Sequence, residues 1–570
     1  MAGEFQVSGT NKAALFTLKL HRGDGMTLVA MNWKKGKPPK DFVGFAIEYQ
    51  EPSGDRFYAL KNRLNFLKKD GSVDKESKST RLAPIQKFRW VHFPRNAEMS
   101  GEFVYRVTPV FMNDAGELSY GEARDAAIEL RRETYPGQLN VSFTRGFVSS
   151  QAFVDRYESR GDISTLLPAK ANAGLTFVPT HPLAKEALAW MGFEARDAIL
   201  EVLDEAIADK QAQVRVVAYD LSEPDVVSRL EKIGKRLKII IDDDGTHAVP
   251  GSGESQAEKR LSVSAGAANV KRQHMGKLQH NKTIVVDGPK TKAAVCGSTN
   301  FSCRGFFVQA NNAVVLRGAN AIKPFAVAFD QYWTNGTPAA FGQTTSAQWT
   351  DLKLKDIKAK VAFSPHAPTN ALLDAIATDI AGGTTSNLFY SLAFLYQTPG
   401  AMQNAIKKVM LDKKLFVYGI SDKKVGGLDV QLPDGAIVPM RPAALGKGAP
   451  EPFKSEPVGG GGTRMHHKFV VIDFDKPGAR VYLGSYNFST AADKSNGENL
   501  LLIGDRRVAT SYMIEALRLF DHYHFRVIQN DAKKAKRKLH LLRPPNAGEM
   551  PWWDADWKEV RKIRDRELFA

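Results

Sequence analysis

Two histidines and two lysines in this chain stand in frames that repeat. His280-Asn281-Lys282 opens the run Thr283-Ile284-Val285-Val286-Asp287, and Gly297-Ser298-Thr299-Asn300 follows it. His466-His467-Lys468 opens Phe469-Val470-Val471-Ile472-Asp473, and Gly484-Ser485-Tyr486-Asn487 follows that. An imidazole titrates near neutrality, so it can attack phosphorus when neutral or protonate a leaving alkoxide when charged. A pair of them splits the cleavage of a phosphodiester into two displacements through a phosphohistidine. Donors on Lys282, Lys468, Asn300 and Asn487 then meet the charge on the non-bridging oxygens, with Ser298 and Ser485 as helpers. Other phosphodiesterases give that duty to a divalent ion. Neither a metal nor a cofactor is therefore expected, and no Cys/His spacing suits zinc.

The two histidines stand 186 residues apart and the two Gly-Ser pairs 187 apart. One internal spacing used twice is a duplication. In each copy the apolar run reads as a buried strand. Residues i and i+2 share a strand face, so imidazole and ammonium project together while Asn281 and His467 point away. Asp287 and Asp473, at matching strand ends, read as holders of strand or loop geometry. Upstream of each motif the same order of elements recurs. Phe193–Ala208 (helix), Val214–Leu221 (strand), Pro224–Lys232 (helix) and Leu237–Ile241 (strand) precede the first. Leu372–Ile380, Leu388–Leu395, Pro399–Met410 and Leu415–Ile420 precede the second in that order. Strands alternating with helices predict an α/β class with helices on a mixed sheet, in two similar halves whose pairing within one chain brings both HxK strands to one interface.

The double HxKxxxxD…GSxN pattern resembles the phospholipase D superfamily of phosphodiesterases, which includes phospholipases, nucleases, tyrosyl-DNA phosphodiesterases and phospholipid synthases. The likeness spans roughly residues 170–530 and implies the two-histidine chemistry rather than a substrate. Glu498 stands 11 residues after Asn487, where the superfamily's nucleases resemble one another in carrying a Glu that orients a histidine; the first-half counterpart is Asn311, with Gln309 nearby. A carboxylate favours the imidazolium and an amide orients a neutral ring. If each serves the histidine of its own half, His466 is the acid and His280 the nucleophile, as in family members with a first-motif nucleophile; pairing across the halves reverses the argument.

The remainder of the chain divides as residues 1–135, a small all-β sandwich; 136–345 and 346–530, the two halves; and 531–570, a basic, Trp-rich tail. Short apolar or alternating runs broken by Gly, Pro and Asp turns argue the sandwich. Phe103–Phe111 and its turn resemble the late strands of a fibronectin type III or immunoglobulin-like module, with Trp33 and Trp90 as core residues. Polar stretches precede both motifs. Gly245 to Leu278 carries Lys259, Arg260, Lys271, Arg272 and Lys277, and Gly459–Gly462 precedes Thr463-Arg464; either is a lid over substrate or a plain connector. Asp242-Asp243-Asp244 lacks the other ligands of a calcium loop and falls where a strand turns. In the tail, Lys533–Lys538 suits a phosphate backbone. Trp552, Trp553 and Trp557 suit base stacking, a membrane interface, or packing on the catalytic core.

Charge narrows the partners. With 79 Lys+Arg against 62 Asp+Glu, the chain carries a formal +17, which favours polyanions. Nucleic acid is the expected partner and a nuclease the expected activity; phospholipid or an anionic membrane surface is the alternative, and a polyanion-binding module without catalysis the distant one. Two cysteines, Cys296 and Cys303, make no disulfide framework. The start lacks a secretory signal and no stretch spans a membrane, so the cytoplasm is expected, with signal-independent export left open.

Overall fold

Each half is built on a seven-stranded mixed sheet, and six strands follow one order in both, the seventh being added at opposite edges. In the first the order is Leu139–Phe143, Asn312–Arg317, Lys292–Gly297, Lys282–Asp287, Gln213–Ala218, Leu237–Ile241 and Val270–Arg272. In the second it is Thr350–Asp351, Lys358–Ser364, Glu498–Gly504, Arg480–Gly484, Lys468–Ile472, Asn387–Leu392 and Phe416–Ile420. The HxK strand is central in both and runs antiparallel to both of its neighbours. Its residues are buried on both faces, Ile284 and Val286 on one and Val285 on the other being at most 1% exposed, as are Val470 and Ile472 on one and Val471 on the other, which is why the sequence there is a continuous apolar run rather than an alternating one.

This computed structural model describes residues 4–74, 76–130, 133–169, 171–421, 430–431, 437–438 and 465–570. The Gly459–Gly462 stretch expected as a lid lies outside them. The described chain forms two compact units. One holds Glu133–Val430 and Pro439–Tyr512, with both sheets; the other holds Met1–Arg132, Gln431–Val438 and Met513–Ala570.

The expected elements sit close to their observed bounds. The first strand-helix-strand passage is Gln213–Ala218, Pro224–Ile233 and Leu237–Ile241, and its counterpart is Asn387–Leu392, Ala401–Leu411 and Phe416–Ile420. Pro224 opens its helix at a position that needs no N–H, and Glu223 caps it by accepting the Val226 N–H. The polar stretch from Gly245 to Leu278 is a correction: it is no loop, because Gly253–Ala265 is a helix. Ser252 caps that helix. Ala257, Leu261 and Ala265, four residues apart, bury one stripe that the surrounding Lys and Arg obscure in the sequence. Arg260 is committed to Glu231 at 2.7 Å.

In the smaller unit two antiparallel sheets enclose one core. The first runs Gln6–Ser8, Phe16–Arg22, Thr27–Trp33 and Arg89–His92; the second is centred on Phe42–Gln50 and Glu102–Met112. Phe16, Phe42, Phe45, Phe103 and Tyr105 fill the space between, Trp33 is buried with them, and Trp90 packs at the edge. The tail tryptophans correct the expectation that they stack on bases, enter a membrane or cover the catalytic core. Trp553 is buried in this β core, Trp552 and Trp557 pack against it, and the Trp552 and Trp557 indoles donate to the carbonyls of Phe42 and Gly36 at 3.0 Å. Their apolar area is spent inside the module.

Two glycines fix how each GSxN segment leaves its strand. Gly297 and Gly484 have φ of +126° and +141°, and a Cβ would lie 2.5 Å from the Asn312 carbonyl oxygen and 2.2 Å from that of Asn499. Gly297→Ala or Gly484→Ala should each cost about 2–4 kcal/mol in urea unfolding. Gly478→Ala, in open space, should stay within about 0.5 kcal/mol; equal costs at all three positions would contradict the close approach.

Candidate active site

The end of each HxK strand meets the end of the other half's sheet. Single parallel bridges join Gln279 to Gly497 and Ala310 to Met465, so the residues that follow each bridge pair across the halves in register. His280 Nδ1 donates to Glu498 Oε2 at 2.7 Å, and Asn499 donates to the Asn281 side chain at 3.0 Å. In the mirror arrangement His466 Nδ1 donates to Asn311 Oδ1 at 2.9 Å, and Asn312 donates to His467 Nδ1 at 3.3 Å. The premise that each orienting residue serves its own half is thereby corrected. The physical reason is the pair of seam bridges, which set Glu498 beside His280 and Asn311 beside His466.

These partners assign the tautomers. A carboxylate only accepts, so the His280 proton is on Nδ1. The Asn311 amide is oriented because its nitrogen donates to the Gly305 carbonyl at 2.9 Å, while Ser298 donates to its oxygen at 2.9 Å; His466 must therefore also donate from Nδ1. Both Nε2 atoms are left for chemistry. The ring centroids lie 6.4 Å apart with the ring planes at 72°, and both rings line a cavity of about 1120 Å³ together with Asn300 and Asn487.

Lys282 and Lys468 lie beneath the rings. Each ammonium donates to the carbonyl of its own motif's histidine, His280 or His466, the latter at 2.7 Å. Lys282 also sits 4.6 Å above the Tyr219 ring, and Lys468 5.5 Å from the Phe394 ring. Burial draws the Lys282 ammonium down to about 8, against the pull of Glu498 and Asp220. Burial pushes His280 below its ordinary value, with Glu498 opposing. His466 falls further, for burial is reinforced by the Lys468 and Lys282 charges. Burial thus favours the neutral form of both rings.

The remaining expected residues separate by position. Ser298 and Ser485 do not line the cavity. Ser298 accepts the Asn312 N–H at 3.0 Å and orients Asn311, and Ser485 accepts the Asn499 N–H at 3.0 Å; both serve the framework, which corrects their assignment to substrate. Asp473 accepts the N–H groups of Thr385, Ser386 and Asn387, tying a loop to the strand end, whereas Asp287 pairs with Lys292 at 2.6 Å on the surface. Gln309 lines the cavity.

The sequence reading missed Tyr219, Asp220, His247 and Glu254 on the first-half wall and Phe394 on the second. Their one sequence signal is a carboxylate, Asp220, at the end of the apolar run Val216-Val217-Ala218-Tyr219. Ligand atoms of Asp220, His247 and Glu254 lie within 4.8 Å of one another, the spacing a cation would need. They are engaged as they stand: His247 Nε2 lies 3.2 Å from Asp220, and Glu254 accepts the Leu221 N–H at 3.0 Å.

Residues 203–333 and 447–519 match the family model described as "Cardiolipin synthase, PLD-like domain". A phospholipase D of Rickettsia prowazekii is 48% identical over 48 residues, 8% of this chain and 22% of the relative. A mitochondrial cardiolipin hydrolase of Xenopus tropicalis is 41% identical over 59 residues, 10% of this chain and 26% of the relative. The match thus spans about a quarter or less of these relatives' length. Phosphatidylserine synthase of Haemophilus influenzae superposes with a TM-score of 0.39 at 13% identity, over 66% of this chain and 91% of that one.

Replacing either His280 or His466 by Ala should abolish turnover. His467→Ala, which removes a ring packed against Phe143 and Phe469, should cost about 1–3 kcal/mol of stability and leave turnover within a few fold. Equal loss of activity in the His466 and His467 variants, at a temperature where both are folded, would refute the assignment.

Proposed function

From a chain that carries a phospholipase D-like domain, we propose a phosphodiester hydrolase that works through a phosphohistidine. The observation that carries the reading is the pair of oppositely held imidazoles with Nε2 free on both. In the first displacement His280 Nε2 attacks phosphorus and the P–O bond breaks. The leaving alkoxide takes the Nε2 proton of a protonated His466. In the second, His466, now neutral, takes a proton from water as the water oxygen attacks, and the P–N bond returns its electrons to His280.

Cross-pairing overturns the ground on which the roles were first read, and taken for the resting state alone it would exchange them. The transition state decides otherwise. A ring phosphorylated on Nε2 and protonated on Nδ1 is a cation that exists only once attack has begun, and Glu498 stabilises it there. The same carboxylate on the acid would stabilise the proton donor before reaction and so raise the barrier. Glu498 therefore suits the nucleophile, His280, and Asn311 suits the acid, His466.

The substrate proposed is nucleic acid. The +17 charge, the exposed run of Lys533, Lys534, Lys536, Arg537 and Lys538, and Glu498 in its nuclease-like place support it. A second reading, hydrolysis of phospholipid head groups, is favoured by the names of the matched relatives. The N-terminal β module, read as fibronectin type III- or immunoglobulin-like, serves docking or substrate presentation. The cytoplasm, a reducing compartment, suits Cys296 and Cys303, neither of which is in a disulfide. Among the described residues no helix is long and apolar enough to cross a membrane.

The test is incubation of the protein, with His280→Ala as control, against single-stranded DNA, duplex DNA, RNA and mixed phospholipid vesicles in EDTA. Cleavage of nucleic acid that survives EDTA, needs His280 and weakens steeply with salt through counterion release is expected. Head-group release with every nucleic acid intact would transfer the proposal to phospholipids, and activity abolished by EDTA and restored by magnesium or zinc would sink the mechanism.

Protonation supplies a second test. His466 must carry its proton to act, and in the free site its pKa lies well below the ordinary value; kcat/KM should therefore fall with rising pH already below neutrality. A bound phosphodiester anion raises that pKa, so kcat should hold to higher pH. Superimposable descending limbs in kcat and kcat/KM would contradict the assignment.

A further inference from the structure

One buried group of charges beside the site has no part in the mechanism above. It begins at the backbone of the first motif, where the Gln279 N–H, one residue before His280, donates to Asp242 Oδ1 at 2.6 Å. Asp242 Oδ2 receives His247 Nδ1 at 2.7 Å. His247 Nε2 lies 3.2 Å from Asp220 Oδ1, and Asp220 Oδ2 receives the Asn300 side-chain nitrogen at 2.8 Å. The series thus runs from the peptide next to His280 to the amide of the GSxN motif. Between its ends lies the Tyr219 ring, 4.6 Å from the His247 ring and 4.7 Å from the His280 ring, with Lys282 above its face.

Among the described residues the other half has no such series. The Tyr219 N–H donates to the Asn281 carbonyl and the Ala393 N–H to that of His467, each at 3.1 Å, so Asp220 and Phe394 occupy equivalent places. Where the first half offers a carboxylate to Asn300, the second offers a phenyl ring, and the oxygen of Asn487 has no hydrogen-bond partner. The oxygen of Asn300 is likewise unpartnered, in a residue 3% exposed. A buried amide with an unmet oxygen is costly. Asp220 offsets part of that cost and fixes which way the amide faces, since a carboxylate accepts only the nitrogen.

We propose that Asp220, held by His247 and Asp242, is a positioning residue that fixes the Asn300 amide at the reacting phosphate, so that the two asparagines of the site are inequivalent, one clamped and one free to adapt. The inference rests on the phosphodiesterase reading. Substrate orientation to within an ångström is worth about 100-fold in rate, which sets the scale of the effect. The charge state of the series agrees with the geometry. Burial pushes the His247 imidazole down, but the hydrogen bonds to Asp220 and Asp242 and the nearby Glu254 outweigh it and hold the ring up to about 10. Asp220 is held below its usual range because His247 outweighs its burial, with Lys282 and Arg304 helping. The remaining groups that face His247 are Tyr219 and the Arg272 guanidinium, which donates to the His247 carbonyl at 2.7 Å.

The test uses the full chain and Asp220→Asn, which keeps the shape and removes the charge, with His247→Gln as a second break in the series. The exposed neighbour His274→Gln, whose ring pairs with Asp243, is the control. Inorganic phosphate binding, followed by calorimetry without turnover, should weaken several-fold in Asp220→Asn and His247→Gln and stay unchanged in the control. With a phosphodiester substrate both variants should lose about 10- to 100-fold in kcat. Imidazole NMR should show His247 protonated through pH 8.5 in the parent chain and titrating nearer neutrality in Asp220→Asn, whose activity then falls as pH rises through that new value. Unchanged phosphate affinity in the folded variants, or a parent His247 that titrates near its ordinary 6.5, would overturn the proposal. A parent chain without phosphodiesterase activity but with the phosphate and NMR results intact would instead locate the fault in the functional reading.

Discussion

The Glu498 carboxylate on His280 Nδ1, reaching from one half of the duplication into the other, is the interaction on which this site depends. It buries an acid with no exposure against a ring 3% exposed, and a buried charge left without its partner costs several kcal/mol. The two halves are therefore each incomplete: neither holds its own histidine. The seam strands, the Gly-Ser turns and the framework serines are arranged to keep that exchange in register. A shift of one residue at Gln279–Gly497 would present Asn499 to His280 and turn the carboxylate away.

Duplication supplies symmetry, and the chemistry needs its opposite. Two identical histidines in one field would compete for one proton, whereas attack and proton donation need different rings. The chain breaks the symmetry at three matched places: Glu498 against Asn311, Asp220 against Phe394, and His467 against Asn281. The first sets the charge on the ring partner. The second makes one wall of the cavity ionic and the other aromatic. The third lies on the far side of the strand, where Asn281 accepts from Asn499 and His467 from Asn312, and alters packing and hydrogen bonding there.

Much of this was legible in the sequence because it is periodic or local. The HxK spacing puts imidazole and ammonium on one strand face, the apolar runs locate the central strands, and two helix periods between strands give the α/β order. The exchange of partners was not legible, since Glu498 and Asn311 sit at equal offsets in both halves and the sequence contains nothing to say which sheet faces which histidine. Asp242, Asp220 and His247 were passed over for a related reason: their contacts span loops without period, and an acidic run at a strand end looks like an ordinary turn. The helix Gly253–Ala265 was hidden by its charged face, and the tail tryptophans by lying far in sequence from the β core they fill.

The claim that the ring held by Glu498 is the nucleophile can be read directly as the position of a phosphoryl adduct. In His466→Asn the leaving group is unassisted and the intermediate loses its base, so an activated phosphodiester with a good leaving group should load the enzyme and stall. Peptide mass spectrometry after rapid quench should find the phosphoryl group on His280, and the yield should fall when Glu498→Gln is added to the same chain. An adduct on another residue, or an adduct on His280 whose formation ignores Glu498, would contradict the account.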